Sequence, residues 1–201
     1  MPKVLVLFYS RTGNTASLAD AIAEGAESVK FTEVEMRRIE DLAPASVIDA
    51  DEAWKTANAT LAKKYRTLES VESLAGYDAL IVGSPARDGV MSAELKRTLD
   101  QAAALRERGA LVDKVGSAFG SVSTAAGGHE GATLSMLIPL MHLGMIIVPP
   151  DYGGAPVARA SGTPSGAALE GARQQGARVA RVAEWVRHAK SHEAHGHGHR
   201  H

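Results

Sequence analysis

Six consecutive residues, Ser10-Arg11-Thr12-Gly13-Asn14-Thr15, place three hydroxyls, a carboxamide and a glycine directly after an apolar run at residues 4–8. Hydroxyls and amides of this kind donate hydrogen bonds to oxyanions, and glycine lets the backbone approach closely. A helix opening at the end of the segment would add free N–H groups and a favourable dipole. The segment therefore reads as a loop that holds a dianionic phosphate without a Lys or Arg countercharge. The alternative is an ordinary strand–helix turn with a Ser/Thr cap, and the density of donors favours phosphate. The three spaced glycines of a dinucleotide fingerprint are missing, as is the Gly-Lys-Ser/Thr of a P-loop.

Such a loop needs a strand before it and a helix after it. Continuous apolar runs at residues 4–8, 79–83, 115–119 and 145–148, with a weaker one at 31–36, predict strands buried on both faces. Leu18, Ala19, Ile22, Ala23 and Ala26 share one helical face. Ala168, Ala172, Gly176, Val179, Ala183 and Val186 share another, and residues 92–105 are rich in helix formers. Strands alternating with helices predict an α/β fold with a parallel sheet. About forty residues separate the second and third strands. There, Trp54, Ala57, Leu61 and Tyr65 have helical spacing, so an insertion at about 38–76 is expected to carry a helix. Residues 1–190 are read as one domain. The His-rich tail at 191–201 is expected to be disordered.

The 201 residues hold 22 Lys+Arg, 23 Asp+Glu and no Cys. Without thiols there are no disulfides, thiolate zinc sites, iron–sulfur clusters or thiol nucleophiles. A net charge of −1 argues against nucleic-acid binding. No apolar stretch approaches a membrane span, and no leader is visible, so a cytoplasmic protein is expected. His192, His195, His197, His199 and His201 match neither a structural nor a catalytic zinc pattern, and no metal is expected. Ser10, Ser84 and Ser121 lack the context of a nucleophile elbow.

Beyond the first loop, a series of short motifs follows in order. It runs through Gly83-Ser84-Pro85-Ala86-Arg87-Asp88-Gly89, Met91-Ser92, Leu99-Asp100-Gln101, Gly127-Gly128-His129-Glu130, His142-Leu143-Gly144-Met145 and Gly162-Thr163-Pro164-Ser165-Gly166-Ala167. Each is weak alone. Together, with the first loop, the series resembles the WrbA-like (tryptophan-repressor-binding protein) family of FMN-dependent NAD(P)H:quinone oxidoreductases in the flavodoxin superfamily. The resemblance implies a flavodoxin-like three-layer sandwich: a five-stranded parallel sheet in the order 2-1-3-4-5 with helices on both faces. It also implies non-covalent FMN, NADH or NADPH as co-substrate, a quinone-like acceptor and a homotetramer or dimer. Ser10, Arg11, Thr12, Gly13, Asn14 and Thr15 match the family's phosphate loop. Pro85, Ala86, Arg87, Asp88 and Gly89 match the loop along the flavin ring. Ser121, Val122, Ser123, Thr124, Ala125, Ala126, Gly127 and Gly128 match the loop on the ring's pyrimidine side.

The departures from the family concern the pocket. Ala86 and Asp88 stand where the family usually has Thr and Phe, and Arg106 stands where a pocket Trp is common. A carboxylate at 88, close to the flavin, would lower its reduction potential. Asp88 and Arg106 are expected to line a more polar substrate pocket. His142 retains one of two family histidines. It reads either as a flavin hydrogen-bond donor or as a structural residue at a helix end, with the second preferred because Leu143 replaces its neighbour. Glu130 is expected to complement a helix dipole, Trp54, Tyr65 and Trp185 to pack, and Pro139 to kink or bound a helix. The alternative function is a flavodoxin-type electron carrier or FMN-binding module without turnover of its own. A degenerate, flavin-free interaction protein is a third reading.

Overall fold

A computed structural model describes residues 1–122, 129–149 and 159–196 of the chain. The apolar run at 4–8 forms β1 (Lys3–Phe8), and the polar loop after it leads into α1 (Asn14–Glu27). β2 (Glu33–Arg38) begins two residues later than the apolar signal suggests. Phe31 lies outside it, exposed and in the left-handed region at φ 62°. The insertion then supplies α2 (Ala45–Asp49), α3 (Glu52–Lys64) and a 3₁₀ turn (Val71–Gly76). The helical spacing from Trp54 to Tyr65 therefore marks a real helix, α3.

β3 (Ala79–Arg87) turns back on itself as a hairpin with β4 (Val90–Met91). The segment 92–105, rich in helix formers, gives two helices, α4 (Ala93–Asp100) and α5 (Ala103–Glu107). β5 (Val115–Val122) precedes α6 (His129–His142), which continues through Pro139 rather than ending there. β6 (Ile146–Ile147), β7 (Arg159–Ser161) and α7 (Gly166–Gly196) complete the chain. The last helix reaches Gly196, so the helix extends into the segment from 191 that composition suggests is disordered.

The main sheet runs β2-β1-β3-β5-β6, all parallel, and is equivalent to the expected 2-1-3-4-5 order. Its fifth position is split. β6 pairs with Val115 and Gly116 of β5, and β7 pairs with Gly120, Ser121 and Val122. Alternation within β1 separates two cores. Val4, Val6 and Phe8 face α1 and α7, whereas Leu5 and Leu7 face α4, α5 and α6. Each fully buried Leu or Ile contributes about 1.5–3 kcal/mol.

The α1–α7 pair packs unusually closely, through glycine. A Cβ on Gly25 would meet the Arg173 carbonyl oxygen at 1.9 Å, and one on Gly176 would meet the Ile22 carbonyl oxygen at 2.0 Å. Trp185, expected to pack, is 64% exposed on α7, one residue off the face that carries Val179 and Ala183. Tyr65 does pack, edge-on against Phe8 with ring centroids 5.0 Å apart.

Candidate functional site

The loop between β1 and α1 is held open by one backbone conformation. Gly13 adopts φ +97° at the helix start, which a side chain would strain. Ser10 Oγ accepts hydrogen bonds from the Gly13 and Ala16 N–H groups at 3.1 and 3.3 Å, so it fixes the loop onto the first turn of α1. Thr15 is buried, and its hydroxyl shares a 2.8 Å hydrogen bond with that of Ser121, at the end of β5. Two of the three loop hydroxyls thus have partners inside the protein. The side chains of Thr12 and Asn14 have no hydrogen-bond partner among the described residues and remain available to a ligand.

Three loops chosen from sequence meet in one cleft of about 210 Å³. Ser10, Arg11, Thr12, Asn14 and Thr15 come from the first, Pro85, Ala86 and Arg87 from the end of β3, and Ser121 and Val122 from the end of β5. All follow the carboxyl ends of neighbouring strands. The chain passes from β1 to β2 on one side and then to β3 on the other, the switch point where open α/β sheets bind ligands. The cleft is smaller than the ~300–1,000 Å³ of enclosed ligand sites. A ligand of cofactor size would lie along it and project beyond the described walls.

The insertion also reaches this cleft, through Asp51 and Ala53. Asp51 caps α3 by accepting the Trp54 N–H at 3.0 Å, and it receives an Arg11 N–H at 3.2 Å. The Trp54 N–H, and then the Arg11 guanidinium, hold its carboxyl below the usual range. Arg11 lies 3.8 Å over the Trp54 ring. Trp54 Nε1 donates to Asp41 at 3.1 Å, and the Tyr9 hydroxyl donates to the same oxygen at 2.6 Å. Burial, then the Asp41 bond, push the Tyr9 hydroxyl far above its ordinary range. An Asp before a helical pattern is a legible cap. Its reach to Arg11, 40 positions away, has no local signal.

Other expected site residues lie elsewhere. Asp88 and Gly89 form the two-residue tip of the β3–β4 hairpin, with φ of +48° and +83°. That is the Asp-Gly pair favoured by a type I′ turn, and neither residue lines the cleft. The hairpin rests on α6, where the Met91 N–H donates to Ser135 Oγ at 2.8 Å. The structure thus places Asp88 at a turn next to Arg87, which does line the cleft, and turn geometry accounts for its backbone conformation.

Arg106 and His142 do share a groove, but a different one, with Leu99, Asp100, Pro139 and Leu143. That groove sits at the opposite end of the sheet. α6 starts beyond the carboxyl end of β5 and returns, so Gly144 accepts the N–H of Asp113 just ahead of the β5 start. Within one chain, neither Arg106 nor His142 reaches the phosphate loop. Ser123, Thr124, Ala125, Ala126, Gly127 and Gly128 lie outside the described residues. Among the described residues, no group of three or more His, Cys, Asp or Glu side chains could hold a metal, and no helix is long and apolar enough to cross a membrane.

Comparison with known proteins adds a family. The model of the NADPH-dependent FMN reductase family matches residues 2–159. A relative from Cupriavidus metallidurans named NAD(P)H dehydrogenase (quinone) is 40% identical, with 91% of this chain and 98% of the relative covered. One of the same name from Afipia carboxidovorans is 39% identical, over 92% and 98%. Among solved structures, the flavodoxin, WrbA-like protein from Agrobacterium tumefaciens matches with a TM-score of 0.69 and 23% identity, over 92% of this chain and 99% of that one. Oxidised flavodoxin 1 from Bacillus cereus matches with a TM-score of 0.58 and 20% identity, over 89% and 97%. These structural matches establish the flavodoxin-like fold.

Proposed function

This chain belongs to the NADPH-dependent FMN reductase family, and from that premise we propose that it is an FMN-dependent NAD(P)H:quinone oxidoreductase working at the cleft between the loops after β1, β3 and β5. The observation that carries the reading is the convergence of those loops, with unpartnered polar side chains at the start of α1 and small or apolar residues beside them. The relatives named NAD(P)H dehydrogenase (quinone) support the reaction class and the acceptor.

The cleft fits the cofactor. Thr12, Asn14 and the first N–H groups of α1 would hold its phosphate, and Pro85, Ala86 and Val122 offer a low surface for a planar ring. Ser121 and the loop that follows it would take the ring's other edge. When bound, FMN supplies the chemistry, accepting two electrons from NADH or NADPH and releasing them to a quinone. The protein's part is to bind and orient. Ser10 and Gly13 fix the loop, the Thr15–Ser121 bond sets its distance from β5, and Arg87 places a cation at the mouth where donor and acceptor enter in turn.

The chain works as a single domain over residues 1–190, in the cytoplasm, as a homotetramer or dimer. Leu134, Ile138 and Met141 support assembly, since they form an exposed apolar stripe at helical spacing on α6. An Arg106–His142 groove from one copy, set against the cleft of another, would restore the substrate-pocket role expected for Arg106. The test is the visible spectrum of the full chain titrated with FMN, followed by NADH and NADPH oxidation with benzoquinone. About one FMN per chain, with quinone-dependent turnover, is expected. No binding at micromolar FMN overturns the reading.

A further inference from the structure

The side chains of the loop between β1 and α1 are largely engaged within the protein. Ser10 Oγ is the acceptor for the N–H groups of Gly13 and of Ala16 in α1, and Thr15 is tied to Ser121, which leaves Thr12 and Asn14 as the loop's unpartnered polar side chains among the described residues. A dianion bound with so few neutral donors gains strongly from a fixed positive charge. The loop contains one. Arg11 lines the same cleft, and its guanidinium is stacked 3.8 Å over Trp54.

That stacking platform is itself fixed. Trp54 is 8% exposed, and its indole N–H is held by Asp41, which the Tyr9 hydroxyl also holds. One Arg11 nitrogen donates to Asp51 at 3.2 Å, which leaves the remaining N–H donors of the guanidinium for an oxyanion. A stacked, half-buried arginine has also lost part of its side-chain freedom before any ligand arrives.

We propose that Arg11 is the countercharge for the ligand's phosphate and selects phosphorylated over unphosphorylated flavin, and that Trp54 on the insertion helix α3 is the positioning residue that holds Arg11 at the cleft. The proposal rests on the flavin reading of the cleft. It gives the insertion a role in binding, through a platform that the core sandwich does not supply.

The experiment compares FMN with riboflavin, which has the same ring and no phosphate. Affinities are measured by equilibrium dialysis on the full chain, at low and high salt. Wild-type protein is expected to prefer FMN by well over tenfold. Arg11→Met should lose about tenfold or more in FMN affinity, keep its riboflavin affinity and show a flatter salt dependence. Trp54→Leu should lose FMN affinity selectively by a smaller factor, and should cost nothing further when added to Arg11→Met. Arg11→Lys should restore part of the loss, since it returns the charge without the planar fork.

An Arg11→Met protein that binds FMN like wild type overturns the inference alone. So does a parallel loss of both flavins, which would mean a structural role. Additive losses in the double variant remove Trp54 from it. Wild-type protein that binds neither flavin overturns the reading of the cleft, and this inference with it.

Discussion

The hydroxyls of Thr15 and Ser121 lie 2.8 Å apart although 106 positions separate them in the chain. Both are buried, so each is the other's replacement for water. Thr15→Val keeps the shape and removes one partner. It leaves the Ser121 hydroxyl unsatisfied, at a cost of about 1–3 kcal/mol in urea unfolding. FMN affinity should fall as well, because the bond sets the spacing of two cleft loops. Unchanged stability in Thr15→Val would show that the pair does not exist in solution.

The Asp88-Gly89 turn predicts a stability effect without a binding effect. Asp88→Asn should change unfolding by no more than about 0.5 kcal/mol, since both residues tolerate positive φ. Asp88→Val should cost about 1–2 kcal/mol. Neither should move FMN affinity or the reduction potential of the bound flavin appreciably. A clear shift of potential in Asp88→Asn would put the carboxylate back beside the ring.

Glycine at the α1–α7 crossing should be irreplaceable. Gly25→Ala and Gly176→Ala each force a methyl onto a backbone carbonyl, and overpacking of this kind costs about 1–3 kcal/mol. Gly76, where an added Cβ meets nothing within 4 Å, is the matched control. Gly76→Ala should lie within about 0.5 kcal/mol of wild type. Thermal denaturation of the three variants side by side separates packing from a general glycine effect.

Alkaline conditions should weaken the fold through its tyrosines. Burial pushes the Tyr65 hydroxyl from 10.0 up to about 12, with its bond to Asp20 adding and Lys64 opposing. Burial, then the bond to Glu35, raises Tyr77 to about 12. The unfolded chain therefore releases these protons first. Stability is complete below pH 10 and declines as pH rises toward about 12. Tyr65→Phe keeps the edge contact with Phe8 and should flatten that decline in denaturant midpoints. A slope identical to wild type would remove Tyr65 as a source.

What the sequence made legible was local. Continuous apolar runs located β1, β3, β5 and β6, because a strand buried on both faces needs no alternation, whereas the charged edge strand β2 gave only a weak signal that begins two residues early. The donor-rich hexapeptide located the end of that sheet where the cleft lies. The two-residue strand β4 carries too few residues for any periodic pattern, so Asp88 could be matched to a ring loop but not recognised as a turn residue. Arg106 and His142 match family positions, yet α5 and α6, on which they lie, end at the far side of the sheet. Arg11 and Trp54 were each visible, and their stacking was not, since it depends on how α3 docks.

The two edges of the sheet also bear on how the molecule meets its own copies. One edge is β2, whose six residues include four charged side chains, and at its end Arg38 bridges to Thr67 of the same chain. The other edge is divided, among the described residues, between β6 and β7, of two and three residues. A long, flat, apolar edge is a template for strand addition and fibre growth, and charge or brevity removes it. Crowded copies of this chain are thus steered away from backbone pairing, which leaves association to side-chain surfaces such as the apolar stripe of α6.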